Sequence, residues 1–560
     1  MKNPISRLSL ASMFLLLTAV ALFAQTPPAG SPVARHGTLR VEGDQIVNQH
    51  GQPVQLRGMS LYWSLTSSAR TFYNRQTVQH LRSDWNADVV RAAMAVERNF
   101  AAAADQQGFI SRPDDNRNLV LDVVAGAREA GMYVIIDWHS YIAEINQEAA
   151  VGFFRDMAQR FKDVPNVIFE IYNEPNGTNG VPNNGGGPAI PSNRTTPWNP
   201  TIMNYMQAVT DAIRNEGANN LILIGTPNWC QNPEIATAPG SAITGTNLVY
   251  TAHFYSGQAD IAHRGALRNR ILTAMDRGFP VFISEFGLTD ASGAGTINTV
   301  EGDRWFDFLR FYNIGWANWA LSAHGQTSAA LTPGSTGENP AGWNLSSSGT
   351  HIRNRLRAGE SQNPTMPFHV LTVNIEGLGE DVVHSVNIRT VDAATNNAAF
   401  ATPTATLSTN RRVIDPNTTV QLSAIPQWSN PASWRFVRWE GTGLTGRLDS
   451  TGISFQMTAN RTVTAVFERV VSVMSPAAAA RAGFWSVSSS GRGLILSGPS
   501  AAVVSLYDMR GRLVDSRRYD GGGQAIRIGR ADMPAGNYMV VARDLATGRE
   551  VYRNRVLMYK

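Results

Sequence analysis

The feature that most constrains this sequence is a pattern that recurs from Val54 to Leu321. A short run of β-branched and aromatic residues is followed by an amphipathic stretch, then by another such run. Eight runs qualify as strands: Val54–Ser60, Asp88–Met94, Tyr133–Trp138, Val167–Tyr172, Leu221–Thr226, Leu248–Phe254, Val281–Phe286 and Ile314–Ala320. They are almost continuously apolar, as strands covered on both faces must be. The stretches between them carry a helical period. Ala150, Phe153, Phe154, Met157 and Phe161 fall on one face of one such stretch. Another opens with Asp114 and Asp115, whose carboxylates suit a helix N-terminus. It continues through Leu119, Val123 and Ala127 and stops at Gly131. Eight strand–helix units predict an α/β fold, a (β/α)8 TIM barrel. A doubly wound open sheet is the rival arrangement, but no run is followed by the Gly-rich phosphate turn such a sheet uses.

The rest of the chain divides around that domain. Lys2 and Arg7 precede an apolar run from Leu8 to Phe23 that ends in small residues near Ala24. This basic–apolar–small order predicts a signal peptide over 1–24, and the run is short for a membrane span. Residues 25–35 read as a linker and 36–358 as the barrel domain. A second linker covers 359–368. Residues 369–469 then alternate polar and apolar without a helical period, with strands expected at Leu371–Ile375 and Thr462–Phe467, which predicts a small all-β module. A third linker, 470–482, leads to a β-sandwich-like module over 483–560, with strands at Ala502–Tyr507 and Tyr538–Ala542 and a turn at Asp508–Gly511.

Charge and cysteine narrow the partners. The net charge of +5 is concentrated at the end, where residues 481–560 hold thirteen Arg and Lys against six Asp and Glu. That tail lacks the interleaved base-stacking aromatics of a nucleic-acid surface, so no nucleic-acid partner is expected. Cys230 is the single cysteine, so no internal disulfide can form.

In a (β/α)8 barrel, side chains at the C-terminal ends of the strands converge on one mouth. Here those ends carry Arg91 (second run), His139 (third), Asn173-Glu174-Pro175 (fourth), Trp229 (after the fifth), His253 and Tyr255 (sixth), Glu285 (seventh) and Trp319 (eighth). Each residue admits a structural role taken singly. Arg91 can pair a buried carboxylate, the histidines can be satisfied core residues, and the tryptophans can fill the barrel. Reactive types at the ends of seven strands of eight point instead to chemistry. Two glutamates among aromatics and amides suit glycoside hydrolysis, which needs one protonated and one ionised carboxyl, with Trp and Tyr faces for sugar rings. The two carboxyl environments must then differ. Arg91 and Tyr255 are the candidates to keep Glu285 ionised, while the opposed charge of Glu285 would raise the pKa of Glu174. No H-E-x-x-H, paired C-x-x-C, EF-hand loop or G-x-S-x-G elbow is present, so neither metal nor organic cofactor is expected. The Asn/Gly/Pro-rich stretch from Asn176 to Pro200 reads as a long functional loop that places Trp198 over the cleft.

These residues carry a resemblance. Gln55-Leu-Arg-Gly-Met-Ser60, Tyr133-Val-Ile-Ile-Asp-Trp-His139, Ile171-Tyr-Asn-Glu-Pro175, His253-Phe-Tyr255, Ser284-Glu-Phe-Gly287 and Ala317-Asn-Trp-Ala-Leu-Ser322 resemble glycoside hydrolase family 5, in its bacterial endoglucanase branch. The resemblance implies a retaining, double-displacement β-1,4-glucanase with Glu174 as acid/base and Glu285 as nucleophile. It implies that Asn173 binds the 2-hydroxyl, with Arg91, His139, His253 and Tyr255 around it. Trp319 would lie under the glycone, with Trp198 and Trp229 toward the leaving group. Trp63 joins the expected sugar contacts. Two departures stand at the glycone end: Leu61-Tyr62-Trp63 where relatives often have a histidine, and Ala323-His324 where they often have Asp-Lys. A β-mannanase or mixed-linkage glucanase on the same site is the alternative activity, and a silent carbohydrate-binding surface protein the alternative of another class. The 369–469 module resembles a β-rich bacterial repeat. Its Trp428, Trp434 and Trp439 read either as core or as a glucan-binding strip. The last module resembles the C-terminal sorting domain of type IX secretion, which implies the secretion machinery as a partner and a protein released outside the cell or fixed at its outer surface; β-glucan is the expected polysaccharide partner and a monomer the expected state.

Overall fold

The computed structural model describes residues 26–97, 108–175, 198, 200–258, 263–359, 367–376, 385–391, 398–401, 409–425, 434–469, 485–490, 493–521, 525–529, 533–534 and 536–558. The expected signal peptide, nearly all of the 176–200 loop and Trp428 lie outside the described residues.

A short hairpin, β1 (Arg40–Glu42) and β2 (Gln45–Val47), precedes the barrel strands β3 (Arg57–Leu61), β4 (Val89–Ala95), β5 (Tyr133–His139), β6 (Val167–Glu170), β7 (Ile222–Ile224), β8 (Leu248–Tyr255), β9 (Val281–Gly287) and β10 (Trp316–Leu321). These eight close a barrel in the order β10-β3-β4-β5-β6-β7-β8-β9, and every pairing is parallel. Each expected run overlaps one barrel strand. Helices cover the outside, including Pro113–Ala130 and Gln147–Phe161, the second burying the five apolar residues of its expected stripe. Gly131 ends the first in the left-handed region at φ 64°, bonding back to the Ala127 and Arg128 carbonyls. A Cβ there would lie 2.1 Å from Ser31 Oγ, so glycine is required twice over.

Side chains alternate between the outer core and the barrel lumen. Val90, Val134, Ile136 and Phe169 face the large outer core under the helices. Val89, Tyr133, Ile135, Ile168, Leu223, Val249 and Phe282 form a separate apolar cluster that fills the lower lumen with Leu39 and Ile46. One step further along the same strand faces, the lumen turns polar. Arg91, Asp137 and Glu170 follow, and His253 comes two steps beyond Val249 on β8, all buried.

Two expected linkers are partly packed. Within 25–35, Ser31 caps a helix at Pro32–His36, and Val33 enters the lower lumen cluster, because an apolar side chain there closes the bottom of the barrel. Within 359–368, Phe368 is buried against the barrel between the guanidinium groups of Arg268 and Arg304, at 4.4 and 4.7 Å.

The middle module comprises β11 (His369–Glu376), β12 (Ser385–Val391), β13 (Ala398–Ala401), β14 (Thr409–Ile414), β15 (Thr419–Ile425), β16 (Trp434–Gly441), β17 (Gly452–Gln456) and β18 (Arg461–Arg469). They form two four-stranded sheets, β14-β11-β18-β16 and β13-β12-β15-β17. Trp439 is core, its Nε1 donating to the Ser450 carbonyl at 2.9 Å. This excludes it from a sugar-binding strip. The module is docked on the barrel helix Gly265–Asp276. The Val413 N–H donates to Asn269 Oδ1 at 2.8 Å, the Arg411 N–H to Asp276 Oδ2 at 2.9 Å, and the Arg411 side chain pairs with the same aspartate. The last module holds β19 (Ser486–Ser490), β20 (Gly493–Ser497), β21 (Ala502–Asp508), β22 (Leu513–Tyr519), β23 (Ile526–Ile528), β24 (Gly536–Asp544) and β25 (Glu550–Met558), in sheets β19-β20-β23 and β22-β21-β24-β25. Its expected turn is present, with Asp508 Oδ1 accepting from the N–H groups of Arg510 and Arg512.

Candidate active site

A cleft of about 540 Å³ opens where the barrel strands end, lined among others by Trp63, His139, Glu174, Trp229, Glu285 and Trp319. Arg91 lies beneath it, fully buried, because β4 turns its third residue into the lumen. Its guanidinium is saturated. Nε donates to Glu170 Oε2 at 2.6 Å, Nη1 to Glu285 Oε2 at 3.0 Å, and Nη2 to Asn173 Oδ1 at 2.6 Å. Asp137 Oδ2 lies 2.9 Å from Nη2.

The two glutamates sit in unlike settings. Glu285 is held at both oxygens, by Arg91 and by the Tyr255 hydroxyl at 2.7 Å, the two donors expected from the sequence. Glu174 follows β6, its N–H bonded to the Ser140 carbonyl at 3.2 Å. Its Oε1 meets His253 Nδ1 at 2.7 Å, and His253 Nε2 meets Ser284 Oγ at 2.9 Å. Burial pushes the Glu174 carboxyl up to about 7, against the pull of Arg91. The negative neighbour that adds to this rise is Glu170, where the sequence reading had placed Glu285. Burial holds His253 down to about 4 and His139 to about 3, so both imidazoles are neutral. A neutral His253 that donates from Nδ1 to Glu174 accepts at Nε2 from the Ser284 hydroxyl. One side-chain atom each from Glu174, His253 and Glu285 lie within 4.8 Å of one another, so one oxygen of each carboxyl group is no farther than that from the other.

Aromatic surfaces flank this pair. Trp319 stacks on His139 with ring centroids 5.1 Å apart and planes 4° from parallel. Tyr62 leans on Trp319 at 5.1 Å and on His324 at 4.3 Å, and His324 bridges Ser322 Oγ and Gln326 Oε1 at 2.7 Å each. The two departures at the glycone end therefore meet in one stack. Trp63 sets its edge against His139 at 5.8 Å. Trp229 is 36 % exposed on a turn where Asn228, Trp229 and Cys230 all have left-handed φ, at 58°, 54° and 57°. Cys230 anchors that turn, its thiol donating to the Asn173 carbonyl at 3.0 Å and accepting from the Thr226 N–H at 3.3 Å.

Ten of the eleven expected site residues thus gather at or directly under the cleft, the tenth being Asn173, whose Nδ2 is buried without a partner among the described residues. Trp198 does not join them. It is buried in the outer core, and its Nε1 donates to the Ser241 carbonyl at 3.0 Å. An indole beside the helix Pro200–Asn215 gains more from core burial than from solvent. Sequence reasoning missed Asp137 and Glu170. Both were visible as acids inside apolar runs, two residues before His139 and four before Glu174.

Residues 47–325 match the model of the cellulase family, glycosyl hydrolase family 5. Endoglucanase 5 of Pectobacterium carotovorum subsp. carotovorum is 34 % identical over 465 residues, covering 80 % of this chain and 84 % of its own. The chain belongs to glycosyl hydrolase family 5. Endoglucanase N of Pectobacterium atrosepticum is 38 % identical over 340 residues, with 59 % of this chain and 68 % of that protein covered. A solved structure from Cytophaga hutchinsonii aligns at TM-score 0.52 and 36 % identity over 59 % of this chain and 97 % of its own. The cellulase Cel5C_n aligns at 0.51 and 33 %, over 60 % and 96 %. This family 5 enzyme has endoglucanase activity carried by its barrel. Residues 394–471 match the divergent InlB B-repeat domain, over most of the middle module and two residues beyond its last strand.

Proposed function

We propose that this enzyme is a secreted endo-β-1,4-glucanase that cleaves cellulose and related β-glucans with retention, using Glu174 as acid/base and Glu285 as nucleophile. The observation that carries this reading is the close approach of two carboxylates in opposite settings, with oxygens within 4.8 Å. Retaining glycosidases hold their carboxyl groups about 5–5.5 Å apart, whereas inverting ones need about 6.5–9.5 Å to admit a water.

In the first step a Glu285 oxygen attacks the anomeric carbon as the bond to the leaving oxygen breaks and Glu174 gives that oxygen its proton. Water then attacks the glycosyl–Glu285 ester, yielding its proton to Glu174, and Glu285 departs as carboxylate. In the tautomer with the proton on Nδ1, His253 donates to Glu174 Oε1, which leaves Oε2 to carry the reacting proton. Tyr255 and Arg91 receive the charge that returns to Glu285. Asn173 is fixed at Oδ1 by Arg91, so its Nδ2 is free to donate to a sugar hydroxyl. His139 and the faces of Trp319 and Trp63 take the glycone, and Trp229 the leaving-group side. The names of the endoglucanase relatives support a glucan over mannan, and the cellulase family model supports a β-1,4-linked one. Secretion rests on the 1–24 segment, and passage through the type IX machinery on the 483–560 module. The enzyme is taken to act as a monomer.

Proton NMR of fresh products from a soluble cello-oligosaccharide tests the mechanism. β-Anomer is expected first. α-Anomer first overturns retention and the role of Glu285. Mannan cleaved in preference to cello-oligosaccharide overturns the substrate.

A further inference from the structure

Arg91 stands between two carboxyl groups with opposite needs. On the reading above, on which this inference rests, Glu285 must stay ionised while Glu174 must hold a proton at rest. A cation that serves the first works against the second. The guanidinium is divided accordingly. Nη1 donates to Glu285 at 3.0 Å. The opposite flank is closed by Glu170 in a two-point grip, Nε to Oε2 at 2.6 Å and Nη2 to Oε1 at 3.3 Å. Glu170 is fully buried and does not line the cleft, so it cannot touch sugar.

We infer that Glu170 is a positioning residue that neutralises Arg91 toward Glu174, so that one arginine can anchor the nucleophile without drawing the proton from the acid/base. The other charged groups cannot take this part. Asp137, also on Arg91, is pushed up to about 8 by burial and is neutral at pH 7. His139 on β5 and His253 on β8 are neutral too. Tyr255 and Tyr141, which face the same carboxyls, are raised by burial and carry no charge, and the Cys230 thiol is likewise raised. Glu285 is already committed to Arg91 Nη1 and Tyr255. Burial raises the Glu170 carboxyl as well, against the pull of Arg91, but its two-point grip makes it the carboxylate that opposes the cation on the flank away from Glu285, and its charge raises the proton affinity of Glu174 while Arg91 lowers it.

The test is the pH profile of kcat/KM on a soluble cello-oligosaccharide for the full chain and for Glu170→Gln and Glu170→Asp. Glu170→Gln is expected to move the alkaline limb to lower pH by about one unit. Glu170→Asp, which withdraws the carboxylate by one methylene, should move it the same way by less. Loss of turnover with the limb unmoved, in whichever variant folds, makes Glu170 a mere brace and overturns the inference. Glu174→Gln separates this from failure of the underlying reading. Near-normal oligosaccharide hydrolysis in that variant overturns the reading itself, whereas its loss beside an unmoved limb in the Glu170 variants overturns only the role of Glu170.

Discussion

The lower and upper halves of the barrel lumen are built on the same strand faces, two residues apart, and they do opposite things. Ile135 and Asp137 share one face of β5, Ile168 and Glu170 one face of β6, Val89 and Arg91 one face of β4. A step of about 6.6 Å along each strand separates an apolar cluster from a fully buried ion network. Below, apolar burial drives folding, and the one hydroxyl of the cluster, on Tyr133, is satisfied by the Gly37 carbonyl at 2.6 Å. Above, one guanidinium is shared by the Glu170 and Glu285 carboxylates, with the Asp137 carboxyl against its Nη2, an arrangement whose desolvation costs more than an apolar filling of the same space. The lower lumen thus holds the barrel closed, and the upper lumen draws on that stability to keep charges where chemistry uses them.

The sharpest way to break this comparison is Glu285→Gln. Activity on cello-oligosaccharide is expected to fall by about 10⁴-fold or more, while the melting temperature stays level or rises because a buried carboxylate is removed. Reducing-sugar assay and calorimetry on one sample read both halves. A large fall in melting temperature would make the upper network structural. The complement is Ile168→Ala below. Loss of a buried Ile is expected to cost about 2–5 kcal/mol of stability, read by denaturant unfolding, with kcat per folded molecule unchanged.

This division also explains what the sequence made legible. Eight barrel strands could be read because each is apolar on both faces, yet their edges slipped. The first was read from Val54, but laddering starts at Arg57, since Val54 and Leu56 are apolar for the sake of the bottom cluster. The fifth was read over Leu221–Thr226 and pairs only over Ile222–Ile224. The reactive side chains at strand ends could be read from position and type together. Asp137 and Glu170 were passed over because an acid inside an apolar run carries no sign of what will pair with it; the partner, Arg91, is 46 and 79 residues away along the chain. Trp198 went wrong for a related reason. Composition places an indole in a loop but does not say whether it turns to the cleft or to the core.

Smaller effects test how finely the upper lumen is tuned. Since burial raises the Glu174 carboxyl to about 7 and the protonated form is the reactive one, kcat/KM should be insensitive to that group well below pH 7. Above it, kcat/KM should fall about tenfold per unit as the proton is lost. A limb near the ordinary glutamate value in the pH profile would show that the desolvation argued for Glu174 is not felt by the working enzyme.

The least drastic change is Ser284→Ala. The Ser284 hydroxyl touches neither carboxyl group, but it meets His253 Nε2 at 2.9 Å, and acting as donor there it favours the tautomer whose Nδ1–H holds Glu174 Oε1. Without it the imidazole is free to place its proton on Nε2, and its lone pair then faces Glu174. The lost hydrogen bond is worth about 1 kcal/mol, or roughly a fivefold fall in kcat/KM. Because the altered His253 would stabilise protonated Glu174 as an acceptor, the alkaline limb should shift upward, opposite to the shift expected for Glu170→Gln. A fall in rate with no shift would reduce Ser284 to packing, and a downward shift would mean that His253 does not donate to Glu174 at rest.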